Sequence, residues 1–151
     1  MTRFRVGAGY TLIELMMVIA LIGIITSIAV WRMAPALERA KVRRAASIMA
    51  ADLQYAQMVA ARQRAPVVVL VNGSLRMYAI RDRSGSTVFR ERFVGPDTDY
   101  GVDSMAASPT GSVEIFPNGL ATQTFTIAFG NNGFTRLVKL TRAGQVRVTA
   151  P

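Results

Sequence analysis

Hydrophobic and polar positions divide the chain into three regimes. Residues 15–31 (LMMVIALIGIITSIAVW) carry no charge, and extending back to Tyr10 makes twenty-two residues with Glu14 as the sole ionisable group. At about 1.5 Å per residue such a helix is about 33 Å long, the thickness of a bilayer core. The pattern predicts a membrane-spanning helix with Trp31 and Arg32 at one interface. From about residue 36 to 63, Val42, Ala45, Met49, Leu53, Ala56 and Ala60 recur at steps of three and four, while Arg43, Arg44, Gln54 and Gln57 fall off that stripe. This is an amphipathic helix that packs one side. Pro35 lies between the two regimes and is expected to kink or delimit the helix, because it lacks an N–H and its ring crowds the preceding turn.

Beyond Pro66 the period shortens. PVVVLV is β-branched, Asn72-Gly73 is a hairpin signal, and LRMYAIR alternates after it. After a turn at 82–86, TVFRERFV places Val88, Arg90 and Arg92 on one face and Phe89, Glu91 and Phe93 on the other. Residues 95–111, rich in Gly, Pro, Asp and Ser, read as a loop. SVEIFP, TQTFTIAF, TRLVKLT and QVRVT follow, separated by Asn118-Gly119, residues 130–133 and Ala143-Gly144. The expectation is an α+β fold: a long N-terminal helix, transmembrane in its first half and amphipathic in its second, packed on an antiparallel β-sheet domain of about seven strands. Residues 10–33 form the apolar helix, 34–65 the amphipathic one and 66–151 the β domain.

At 151 residues there is room for one folded domain beyond the apolar helix. A cleaved secretory signal fits the N-terminus poorly, because the apolar run is long and continues into Trp31-Arg32-Met33-Ala34-Pro35 without a small-residue cleavage site. A helix apolar all round is also hard to bury in so small a core.

The chain has 18 Lys and Arg against 9 Asp and Glu, a formal charge of +9. That balance favours anionic surroundings, lipid headgroups or nucleic acid, although a basic solvated surface accounts for it equally well. There is no Cys and no His, which removes disulfides, thiol chemistry, the commonest soft metal ligands and the commonest general base. The carboxylates outside the apolar helix (Glu38, Asp52, Asp82, Glu91, Asp97, Asp99, Asp103 and Glu114) are scattered, with Asp97, Asp99 and Asp103 the only cluster. Their spacing is not that of a calcium loop. Without convergent ionisable groups no catalysis, cofactor or metal is expected.

Glu14 is the anomaly, since a carboxylate inside an apolar helix costs several kcal/mol in lipid, on the order of the price for intramembrane charges, unless it has a partner. The run Gly9-Tyr10-Thr11-Leu12-Ile13-Glu14, followed by LMMVIALIGII, resembles the leader and stem of type IV pilins and type II secretion pseudopilins. In that family a prepilin peptidase cuts after the glycine, here Gly9, on the cytoplasmic side and methylates the new N-terminus, here Tyr10, where Phe is more usual. Residues 1–9 then form the leader. The family's stem glutamate corresponds to Glu14, whose carboxylate by resemblance offsets the terminal ammonium of a neighbouring subunit. An amine and a carboxylate that are each costly in lipid compensate one another as a pair.

LQYAQMVAARQRAPVVVLV, IFPNGLATQTFTIAF and LVKLTRAGQVRV are similar to the H-type minor pseudopilins and the related FimT minor pilins, the GspH/FimT family. The resemblance implies a structural subunit, not an enzyme. Its partners would be other pilins or pseudopilins of a type II secretion pseudopilus or type IV pilus, the prepilin peptidase and the inner membrane, with the C-terminal domain periplasmic. The charge count runs the other way: Arg32, Arg39, Lys41, Arg43 and Arg44 after the helix outnumber Arg3 and Arg5 before it, and basic flanks favour the cytoplasm. The peptidase motif is given precedence.

DNA binding is the competing function. After Glu114 there is no acid, whereas Arg136, Lys139, Arg142 and Arg147 are basic and could contact phosphates. FimT-like pilins of DNA uptake carry a C-terminal GRxR motif, and the matching positions here read Gly144-Gln145-Val146-Arg147. Losing one guanidinium removes a bidentate phosphate contact.

Overall fold

The computed structural model describes residues 10–150, with the side chains of 29–32 and 34 left out. One helix, α1 (Leu12–Gln63), is followed by eight strands: β1 (Val67–Asn72), β2 (Met77–Asp82), β3 (Val88–Phe93), β4 (Ser104–Ser108), β5 (Gly111–Ile115), β6 (Phe125–Asn131), β7 (Phe134–Leu140) and β8 (Val146–Thr149). The chain divides into two compact units, Met1–Ala36 and Leu37–Pro151.

Pro35 does not end the helix, which runs through it. Proline forfeits a single backbone bond, and the neighbouring Ala34, Ala36 and Leu37 are strong helix formers. The helix begins on an N-cap threonine. The sequence Thr11-Leu12-Ile13-Glu14 has the S/T-x-x-E pattern, and the Glu14 N–H donates to Thr11 Oγ1 at 3.3 Å. Thr26 and Ser27 turn their hydroxyls inward, donating to the carbonyls of Ile22 at 2.7 Å and Gly23 at 3.0 Å. The helix thereby satisfies its own polar side chains, and every large apolar residue between 12 and 28 is exposed, from 46 % at Val18 to 79 % at Leu12. Among the described residues no helix is long and apolar enough to cross a membrane; the described apolar side chains of the expected span run to Ile28 and resume at Met33, and those of 29–32 lie outside them.

In the second unit all six residues of the expected stripe, Val42, Ala45, Met49, Leu53, Ala56 and Ala60, are buried. They form one core with residues of both sheets, among them Val67, Val69, Tyr78, Ile80, Ile115, Phe125, Ile127, Phe129, Val138 and Leu140. The expected single sheet is two four-stranded antiparallel sheets, ordered β3-β2-β1-β5 and β4-β6-β7-β8. The eighth strand, β4, lies in the segment expected to be a loop. Its sequence, SMAAS, offers only Met105 as a large apolar residue. It becomes a strand by pairing with β6 over Ser104–Ser108 and burying Met105, which is a tertiary effect overriding weak propensity.

Turns follow local chemistry. Asn132 and Gly133 both have positive φ (45° and 82°), the backbone of a type I′ hairpin joining β6 to β7. At the β2–β3 turn, Asp82 accepts from the hydroxyls of Ser84 and Ser86 and the N–H of Thr87. The Ser84 hydroxyl first, with the Thr87 N–H and others, holds its carboxyl down to about 2.

Candidate functional site

Gly9 lies outside the described residues. Tyr10 is exposed just ahead of the Thr11 cap, and Glu14 is exposed on the first turn of α1. No side chain among the described residues meets the Glu14 carboxylate. Its position at the helix N-terminus is locally favourable, because the first turn carries a partial positive charge. In water, Glu14 therefore needs no partner. In an apolar medium the helix end alone cannot replace hydration, and the carboxylate either takes up a proton or pairs with a cation.

The four basic residues near the C-terminus do not form one strip. Lys139 stands directly opposite Arg147 across the β7–β8 ladder, on the face turned away from the buried Val138 and Leu140. Arg136 has the parity of Val138 and Leu140 and so lies on the other face of β7. Arg142 sits in the turn after β7, where its carbonyl accepts the Ala121 N–H at 3.0 Å. Gln145, in the place of the missing arginine, accepts from Arg147 Nη2 at 3.2 Å. Gly144 has a structural reason to be glycine: its φ is +79°, and a Cβ there would collide with the Gly119 carbonyl. Its own carbonyl accepts from Gln57 Nε2 at 2.6 Å, tying the last turn to α1.

One cluster escaped the reading of scattered carboxylates. Asp52, on α1 between Met49 and Leu53, is fully buried. Its Oδ1 accepts from Arg90 Nη1 at 2.5 Å, and its Oδ2 accepts from Arg92 Nε at 2.5 Å and from the Tyr78 hydroxyl at 2.7 Å. Arg90 also stacks on Tyr55, 4.1 Å from the ring centroid. Burial pushes the Asp52 carboxyl up, but the hydrogen bonds from Arg92, Tyr78 and Arg90 outweigh it and hold the group below the ordinary carboxylate value. Burial first, then the Asp52 carboxylate, push the Tyr78 hydroxyl up. Among the described residues no buried side-chain nitrogen or oxygen lacks a hydrogen-bond partner, and the Asp52 carboxylate is closed off from solvent, so the cluster clamps β3 to the helix. The signal was available: two arginines on one strand face need an acid across from them.

Asp97, Asp99 and Glu91 line a shallow cavity with Arg92 and Tyr100, whereas Asp103 accepts from the Asn132 N–H at 3.2 Å. Among the described residues no group of three or more His, Cys, Asp or Glu could hold a metal ion.

A family model described as prokaryotic N-terminal methylation motif matches residues 5–30. Two crystal forms of the Pseudomonas aeruginosa type IV minor pilin FimU share the fold. One superposes with a TM-score of 0.62 at 22% identity, covering 76% of this chain and 95% of that one. The other gives 0.59 at 21% identity, covering 73% and 97%. No curated protein matches the chain. The helix packed on antiparallel sheets is thus the type IV pilin fold, and with the model described as type II transport protein GspH matching residues 45–144, the chain belongs to the GspH family of pilin-like proteins.

Proposed function

We propose that this protein is a minor pseudopilin or minor pilin, a non-catalytic subunit of a type II secretion pseudopilus or type IV pilus. The observation that carries the reading is the stem. Residues 12–28 expose apolar side chains on all sides, while their polar neighbours are satisfied within the helix. Such a surface is stable only when lipid or other apolar helices cover it. The subunit waits in the inner membrane, held by residues 10–33, with its folded unit in the periplasm. Prepilin peptidase cuts after Gly9 and methylates Tyr10. The ammonium so created lies one helical turn from Glu14, and Glu14 of one subunit neutralises the terminus of the next as stems pack into a filament.

Glu14→Ala is expected to abolish incorporation into filaments, assayed by sheared-fibre immunoblot in the host, while membrane fractionation of the unassembled subunit stays unchanged. Incorporation at the parental level would refute the charge-pairing step. Mass spectrometry of the host protein is expected to show a chain beginning at N-methylated Tyr10.

A DNA-uptake role is a second reading, favoured by one feature. Lys139 and Arg147 face each other across a strand pair, an arrangement of like charges that an anion would relieve. The full chain in neutral detergent would then shift duplex DNA in a salt-dependent way. Lys139→Gln with Arg147→Gln would abolish that shift; an unchanged shift, or none at low salt, removes this reading.

A further inference from the structure

A second basic site lies on the folded unit, away from the Lys139–Arg147 face. Arg39 and Arg43 project from one side of α1, one turn apart. Arg136 reaches the same place from the inward face of β7. The three side chains line a cavity of about 330 Å³ together with Val42, Phe134 and Thr135, at the small end of the range for small-molecule sites. Phe134 follows the tight Asn132-Gly133 turn, and Arg39 lies over its ring, 4.5 Å from the centroid, which fixes the guanidinium plane.

Among the described residues none of these three guanidinium groups meets a carboxylate within 4 Å; the ion pairs are Lys41–Glu38, Arg83–Glu114, Arg90–Asp52 and Arg92–Asp52. Glu38, the acid nearest in sequence, is already taken by Lys41 at 3.1 Å and by the Asn131 side-chain amide at 2.6 Å. Like charges one turn apart on a helix repel, and a third cation from the sheet adds to the repulsion. Elsewhere in the unit, at Asp52, paired arginines are matched by an acid. Here, among the described residues, no side-chain carboxylate supplies the matching anion.

The geometry points to a phosphate-binding pocket formed by Arg39, Arg43 and Arg136, one that takes the phosphate of a lipid headgroup or of a soluble phosphate ester. Guanidinium groups supply paired N–H donors in the spacing that phosphate oxygens accept, and several can share one phosphate. Arg39 and Arg43 follow the last apolar residue of the sequence run, Trp31, by eight and twelve residues, so an anionic phospholipid is a natural source. Bound there, it would link the helix to β7 through one group.

The test uses the full chain in neutral detergent micelles, titrated separately with short-chain phosphatidylglycerol and with sn-glycerol 1-phosphate, and followed by ³¹P NMR. Saturable binding is expected. Arg136→Gln and Arg43→Gln should each weaken it tenfold or more, and Lys139→Gln, with the same loss of charge, less than twofold. Saturation by the lipid alone identifies the headgroup as the source; saturation by both identifies the phosphate ester as sufficient. Equal weakening by Lys139→Gln would overturn the proposal, as would failure of both probes to saturate, or a pocket that answers only to duplex DNA. Should circular dichroism show Arg136→Gln to be unfolded, Arg43→Gln, on an exposed helix position, decides the matter alone.

Discussion

Residues 12–28 and 42–60 belong to one helix, yet their apolar side chains meet opposite surroundings. In the first stretch they are exposed on every side; in the second, one stripe is buried against two sheets and the exposed remainder is mostly polar, with Met58 the large apolar exception. The patterns differ accordingly. An all-round apolar surface has no preferred face, so it suits a medium or a bundle that surrounds it, whereas a stripe specifies a single packing partner. The first half of α1 is built to be covered by something outside the chain. The second half is covered already, which leaves its arginines and the outer sheet faces for contacts with other molecules.

The largest test of this contrast compares one side chain from each half of the molecule. Phe129→Ala is expected to cost about 3–5 kcal/mol, because the ring is fully buried and its removal leaves a cavity. Ile19→Ala, at a position 61 % exposed, should change the unfolding free energy of the folded unit, read from urea denaturation, by no more than about 0.5 kcal/mol. A comparable loss from Ile19→Ala would mean that the stem contributes to the core.

A smaller effect probes how the helix is clamped. Asp52→Asn removes the charge that pairs with Arg90 and Arg92, and breaking a buried pair costs about 3 kcal/mol, measured by urea unfolding at neutral pH. The pH dependence has a definite sign. The folded Asp52 carboxyl lies below its ordinary 3.8, so the stabilisation is complete above that value and disappears as the pH falls through the lower, folded one. Acid unfolding monitored by near-ultraviolet circular dichroism should therefore lose part of its pH dependence below about pH 4 in Asp52→Asn. An unaltered acid transition would show that other carboxylates govern it.

The smallest effect belongs to the helix start. Thr11→Ala removes the acceptor of the Glu14 N–H and should destabilise the first turn by about 0.5–1 kcal/mol. The check is faster amide hydrogen exchange at residues 12–15 in micelles, with the folded unit unchanged.

Features with a local cause were legible in the residues themselves. The uncharged run, the lone Glu14, the stripe from Val42 to Ala60 and the Asn-Gly and Ala-Gly turns each depend on neighbours a few positions away, and periodicity reports those directly. The Thr11 cap of the TLIE run was legible too, although the glutamate drew attention for its charge and not for its place at the third helical position. What escaped depended on partners far along the chain. β4 is a strand because β6 offers it an edge, and SMAAS carries little intrinsic preference of its own. Asp52 looked like a scattered acid until Arg90 and Arg92 were brought 38 and 40 positions back to it.

The sequence by itself determined that a long helix with an exposed apolar start and an amphipathic continuation precedes an antiparallel domain, because side-chain periodicity and capping act within a turn or two. Only the tertiary structure decided that the strands divide into two sheets. It alone put Arg136 beside Arg39 and Arg43 and left Lys139 opposite Arg147. Strand register sets which face each residue occupies, and register is fixed by pairings between distant segments.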